Sequence, residues 1–570
     1  MLPWRWHEAD RFYHYIYTKP AVHEGRIPIH LSGNTVFLFG GVDMRLLYAF
    51  MAAWCLTFGL AGSLFAQNID REDTIIFSCL SNVGPLNPHL YSPNQMFAQS
   101  MVYEPLVKLK PDGSIGPALA EKWAISDDGL HYTFYLRRDV RFSDGEPFNA
   151  EAVAKNFEAV MGNAERHKWL GVTGKIAGFE AVGPYEFKLT LNSPYYPCLE
   201  DLSLPRPFRM LSPAAFPDDG DTSKGIKTPA GTGPWRLAKI ALGEYDLFER
   251  NELYWGEKAK VSKVLVSVIP DPVSRALAFE TGEIDLIYGL GQINFDTFDR
   301  LRQTPKVSAE ISGPMGTMAA AINTAKGPAA ELKVRKALNH LTDKAALIKG
   351  VTLGTQPRAE TLFAPEVPYC DLNLRPYEYD SAKAAALLDE AGWKLAPGQK
   401  IREKNGQPLV MDFCFVGNNA AHKAIAEVVQ AQAGRVGLAL NLVGEEEDSF
   451  YRRQKDGDFH IILNPTWGPP FEPHALVSSM LLPAHADFMA QAGLTMKADI
   501  DARINEVLAT TDKAVRQKLY RDILTMLHEQ AVYLPLFHDA LFMVYRPERL
   551  QNARFGAERS YIPFEEFSVK

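Results

Sequence analysis

ALAEKWAISDDGLHYTFYLRRDVRFSDGEPFNAEAV, residues 118–153, passes from a strand pattern to a helix start within one short stretch. Its YTFYL segment (132–136) is aromatic or β-branched over most of its length, which predicts a short strand. Asn149 can cap a helix that places Val153, Phe157, Val160 and Met161 on one face. Outward from it, Phe187, Leu189 and Leu191 alternate with Lys188 and Thr190 after a Gly183-Pro184 turn, the pattern of a half-buried hairpin arm. TIIF (74–77) reads as a further strand. Later in the chain, Ser381 is expected to cap a helix over 382–391 stopped by Gly392, and a helix over 420–433 leads through Gly437 into a strand over 438–442. Hairpins early and alternating helices and strands later predict an α/β chain of at least two lobes. No internal repeat is present, which excludes solenoids and propellers.

The 570 residues are 46% hydrophobic and 22% charged, a globular balance with material for a large core. Lys plus Arg number 60 against 68 Asp plus Glu, a net charge of −8, so no basic surplus exists to follow a phosphate backbone. Nucleic acid is excluded as an expected partner. The five cysteines (55, 79, 198, 370 and 414) show no C-x-x-C spacing, which argues against structural zinc and against a dense disulfide framework. Cys79, Cys198, Cys370 and Cys414 leave three complete pairings open. Zincin, P-loop and nucleophile-elbow motifs are missing, and the Gly231-Thr232-Gly233 run lacks the third glycine of a dinucleotide loop, so an enzyme is not expected.

Residues 44–66 begin with Met44 and a single Arg45, continue through an apolar run and end in small residues, the pattern of a secretory signal. A periplasmic, exported protein is expected. A signal normally lies at the amino terminus, so residues 1–43 are read as a leader upstream of the true start, with Gly40-Gly41 able to encode the purine-rich ribosome-binding sequence. Trp54 before Cys55, in mid-run, argues against lipidation.

Beyond composition and pattern, the 118–153 stretch resembles the signature region of the large extracytoplasmic solute-binding proteins that serve dipeptide, oligopeptide and nickel ABC importers. GTGPW (231–235), YWG (254–256), FETGEIDL (279–286) and YDSAKAAALLDEAGW (379–393) follow in the family's order. GPLNPHLYSPNQMFAQSMVYEPLV (84–107), RHKWL (166–170), LPRPFR (204–209) and TWGPPFEPHA (466–475) look like its nickel-binding branch. The resemblance implies an α/β, two-lobed periplasmic binding protein fold of type II with an extra subdomain and a ligand cleft between the lobes. It places lobe I with its subdomain near 68–315, lobe II near 316–539, and a C-terminal return to lobe I over 540–570.

The implied function is capture of chelated nickel(II) for delivery to ABC importer permease subunits, by a monomer, with a peptide- or haem-binding receptor as the alternative. Nickel needs four to six nitrogen or oxygen ligands, yet the ten histidines beyond residue 66 show no metal-site spacing. A metal already wrapped by a small chelator such as L-histidine needs only one protein imidazole, and His485 matches the family position that supplies it. Arg166 and Arg206 match the family's carboxylate-binding arginines, whose planar forks suit a chelator's outward carboxylates. Tyr91, Met96, Trp169, Tyr451 and Trp467 match the apolar walls, and Phe471 replaces a tyrosine of the family pattern with loss of a hydroxyl. His89 and His474 are expected to be structural, and the acidic run Glu445-Glu446-Glu447-Asp448 to mark a helix N-terminus.

Overall fold

Two kinds of strand are separated by their burial. Thr74–Cys79 is buried at every position, as a strand covered on both faces must be, and pairs in parallel with Lys263–Val268 and Leu286–Gly289. Glu186–Leu191 buries only Phe187, Leu189 and Leu191, the alternation of a half-covered antiparallel strand. These elements belong to a computed structural model of the protein, which describes residues 70–90, 96–467 and 473–570. The leader over 1–43, the signal over 44–66, Tyr91 and Phe471 lie outside the described residues. Among the described residues no helix is long and apolar enough to cross a membrane.

The main sheet has ten strands. At one end stand Ala439–Glu445, Val410–Val416 and Ile461–Leu463, and at the other Leu286–Gly289, Thr74–Cys79, Lys263–Val268, Tyr245–Arg250 and Trp235–Ala241. Two long antiparallel strands, Ser308–Ile322 and Tyr533–Tyr545, join the two groups. Ser308 to Ile311 pair with the Tyr545 end, Ala319 to Ala321 with the Tyr533 end, and between them the register slips three times, around Pro314, Gly316 and Met318. An unpaired residue bends a strand and sharpens its twist. The fold is thus two α/β lobes joined by an irregular two-stranded crossing.

Each lobe has its own core: Ile75, Phe77, Trp235, Phe248 and Met543 pack on one side of the crossing, and Val334, Leu338, Phe413, Val429 and Ile461 on the other. A separate four-stranded sheet, ordered Ala120–Ile125, His131–Leu136, Glu186–Leu191 and Ile176–Gly183, carries the Ala150–Gly162 helix. Asn149 caps this helix by accepting from the Ala152 N–H at 2.9 Å, and Val153, Phe157 and Val160 are buried as expected, Phe157 against Phe187 with ring centroids 4.8 Å apart. The helix at 381 differs by one position: it spans Ser381–Glu390 and its cap is Asp380, which accepts from the Lys383 N–H at 2.8 Å. Asp caps a helix as readily as Ser does, and with Asp380 in that position Ser381 becomes the first helical residue. Glu447 and Asp448 fall in the first turn of Glu447–Asp456, while Glu445 ends a strand and accepts from Arg453 Nε and Nη2, each at 2.7 Å.

The C-terminal segment returns to the first strand through Asp285, whose carboxylate takes Arg71 at 2.8 Å, Arg549 at 3.1 Å and the Ile76 N–H at 2.9 Å. Cys79, Cys198 and Cys414 are buried thiols, and burial pushes Cys79 up to about 11 and Cys414 up to about 12.

Candidate functional site

Arg206 follows the short Cys198–Ser203 helix between Pro205 and Pro207, whose rings restrict the backbone on both sides. Its guanidinium lies 5.9 Å from the Trp169 ring centroid, in the geometry of a cation over an aromatic face. Trp169 meets Trp467 edge-on at 6.5 Å, and Trp467 stacks on the His485 imidazole at 5.9 Å with 27° between the planes. Arg206 and Trp169 come from the first half of the chain; Trp467 and His485 come from the segment after Ile461–Leu463 in the other group of strands. A cation, two indoles and an imidazole thus form one continuous ladder from lobe to lobe.

Beside the ladder is a cavity of about 240 Å³ lined by Met96, Trp169, Arg206 and Trp467, and also by Asp201, His474 and Arg559. Its walls are mostly apolar with a few convergent charged groups, the usual make-up of a small-ligand site. Met96 opens the Met96–Val102 helix and is half-buried.

His485 immediately precedes the Ala486–Gln491 helix in extended conformation. Burial lowers its pKa below 6.5, against the opposing pull of the Asp487 carboxylate. The ring is therefore neutral at pH 7, the state in which a lone pair can bind a metal. Asp487 is fixed beneath it by Tyr533 Oη at 2.8 Å, Asn464 Nδ2 at 2.8 Å and Ser479 Oγ at 3.0 Å. Burial raises the Asp487 pKa, with those three donors working in the other direction.

His474 is buried and holds Asp201 Oδ1 at 3.2 Å, so its role is partly structural as expected, yet it also lines the cavity. Asp201 further accepts from Tyr195 Oη at 2.9 Å and from the Val172 N–H at 3.0 Å. His89 is held between Thr222 and Asn156, and burial brings it down to about 4.

Of the residues expected from the sequence, Met96, Trp169, Arg206 and Trp467 line one cavity, and His485 joins them by stacking on Trp467 without lining it. Arg166 is exposed on the Ala164–His167 turn and Tyr451 is exposed on the Glu447–Asp456 helix, and neither lines the cavity. Asp201, Glu558, Arg559 and Ser560 line it without having been expected. Their only sequence signal was proximity: Asp201 lies five positions before Arg206, and the other three sit in the C-terminal return.

Two lobes, a bent crossing and a mostly apolar cavity with charged groups at its wall define a ligand-capture protein of the binding-protein type. The chain belongs to the bacterial extracellular solute-binding proteins, family 5, whose middle region matches residues 114–488. It is 52% identical over 508 residues, 89% of this chain and 97% of the other, to the nickel-binding periplasmic protein of Escherichia coli (strain K12). It is similar to the crystal structure of NikA from Brucella suis in complex with Fe(III)-EDTA, with 53% identity, a TM-score of 0.85, and coverage of 87% of this chain and 100% of that one. Heme-binding protein A of Haemophilus influenzae is 27% identical over 472 residues, 79% of this chain and 84% of the relative.

Proposed function

We propose that the protein captures chelated nickel(II) in the periplasm, as a monomer and without catalysing a reaction, and delivers it to the permease subunits of an ABC importer. The observation that carries this reading is the ladder from Arg206 through Trp169 and Trp467 to His485, whose first three members line one cavity while the neutral imidazole stacks behind Trp467. Likeness over nearly the full length of a nickel-binding relative supports it.

In this reading a His485 ring nitrogen completes the coordination shell of nickel already held by a small chelator such as L-histidine. Arg206, with Arg166, pairs with the chelator's carboxylates in bidentate fashion. Trp169, Trp467 and Met96, with Tyr91, Tyr451 and Phe471, form walls that exclude water, which strengthens each charged contact. Arg166, Tyr451 and His485 lie outside the cavity lining, so their contacts with the ligand depend on lobe closure. Residues 44–66 serve as the export signal and 1–43 precede the start. Lobe I spans 68–315, lobe II 316–539 and the return 540–570, boundaries supported by the slip of register where Gly316 faces Asp539.

The test is calorimetric titration of the mature protein and two variants with nickel-chelate. His485→Ala is expected to weaken binding at least about tenfold, the loss of a bond to a charged centre. Arg206→Ala is expected to weaken carboxylate-bearing chelates more than a neutral nickel complex. Unchanged affinity in His485→Ala removes that residue as a ligand.

A further inference from the structure

The C-terminal return brings a second arginine to the cavity that holds Arg206. Arg559 lines it together with Trp169, Trp467 and Met96, and lines an adjoining space of about 260 Å³ bounded by Phe77, Phe97, Tyr288 and Leu541. Its loop is tied down: Gly556 N–H donates to Tyr288 Oη at 2.9 Å, and Tyr561 N–H donates to the Glu558 carbonyl at 3.2 Å. Gly556 packs so closely against the Tyr561 carbonyl that a β-carbon would stand 1.9 Å from it.

The guanidinium is anchored as well. Arg559 Nη2 donates to the Met315 carbonyl at 2.6 Å, on the strand that crosses between the lobes. The next residue, Gly316, makes the notch it occupies, since a β-carbon there would lie 2.1 Å from Nη2. A guanidinium has five N–H donors in a fixed fork, and this bond uses one. The nearby carboxyls of Asp539 and Glu558 both feel its positive charge, but burial pushes Asp539 up to about 6 and raises Glu558. At pH 7 an acid with a pKa of about 6 is still mostly ionised, so Asp539 offsets part of the charge of Arg559 without occupying its remaining N–H groups in any hydrogen bond among the described residues.

We propose that Arg559 is a specificity-determining residue of the cleft, recognising a ligand carboxylate that Arg206 does not reach and so favouring metal chelates rich in outward carboxylates. The inference rests on the metal-chelate reading above. Two rigidly held cations on different walls match a chelate that turns several carboxylate oxygens outward, as the four carboxylates of EDTA do, better than one that offers a single carboxylate per chelator.

The experiment titrates wild type, Arg559→Gln and Arg559→Lys with nickel–EDTA and with nickel–L-histidine, alongside thermal melts. Gln retains a donor for the Met315 carbonyl, so the melts are expected to coincide. Arg559→Gln is expected to weaken nickel–EDTA at least about tenfold, the loss of a hydrogen bond between charged groups, and nickel–L-histidine less than about threefold. Arg559→Lys, with charge but no fork, is expected to fall between. Equal losses for both chelates, no loss for nickel–EDTA, or wild-type binding of nickel–L-histidine alone overturns the inference. Wild-type protein that binds neither chelate overturns the metal-chelate reading itself, and the inference with it.

Discussion

At His485 burial and charge pull in opposite directions, and burial wins: the pKa falls below 6.5 in spite of Asp487. The consequence for binding has a definite sign. Proton and metal compete for one lone pair, so affinity holds as pH drops from about 8 to 6.5 and declines only below the lowered pKa, by up to about tenfold per pH unit. Titrations at a series of pH values check this, and a decline already complete by pH 7 contradicts it. Asp487 gives a second prediction. Asp487→Ala leaves the Tyr533, Asn464 and Ser479 donors without their acceptor, at about 1–3 kcal/mol for each that water cannot reach. A loss of at least about 3 kcal/mol is expected in urea unfolding. His485 and Arg206 were legible one residue at a time because each stands in a motif. Asp201 and Arg559 were not, because only tertiary contacts bring a helix-borne acid and a C-terminal arginine to the same wall.

Among the elements, the four-stranded sheet and its helix followed directly from the sequence, since alternation in Glu186–Leu191 and the one-face spacing of Val153, Phe157 and Val160 are local signals. The crossing strands carry no such signal. Ser308–Ile322 and Tyr533–Tyr545 find each other across more than two hundred residues, and the single ten-stranded sheet they build is a product of that long-range pairing. The cap at Asp380 shows the usual one-residue uncertainty of helix starts. Within the crossing, Gly316 is decisive. Gly316→Ala puts a methyl group against the guanidinium of Arg559, a side-chain end rather than backbone, so it is expected to push the guanidinium off the Met315 carbonyl while the strand stays in place. The variant should melt within a few degrees of wild type yet bind nickel–EDTA more weakly, and calorimetry with a parallel melt reads both. A collapse of the melt with unchanged affinity in the surviving folded protein contradicts this account.

For the molecule as a whole, the irregular crossing supplies the bend and the indole ladder supplies the reporter. Register slips at Pro314, Gly316 and Met318 concentrate bending where the lobes join. Trp169 and Trp467 approach each other from opposite lobes at 6.5 Å, so relative motion of the lobes alters the surroundings of both indoles. Saturating ligand is expected to change tryptophan emission, and Trp467→Phe is expected to remove most of the change. Emission that ignores saturating ligand contradicts closure on the ladder.

The central claim is that the cleft takes nickel in chelated form. It is tested most directly by isothermal titration of metal-stripped mature protein with nickel alone, with nickel plus excess L-histidine, and with a dipeptide pool. Tight one-to-one binding only where nickel and histidine are both present is the predicted result. Binding of dipeptides with no response to nickel would contradict it and make the protein a peptide receptor.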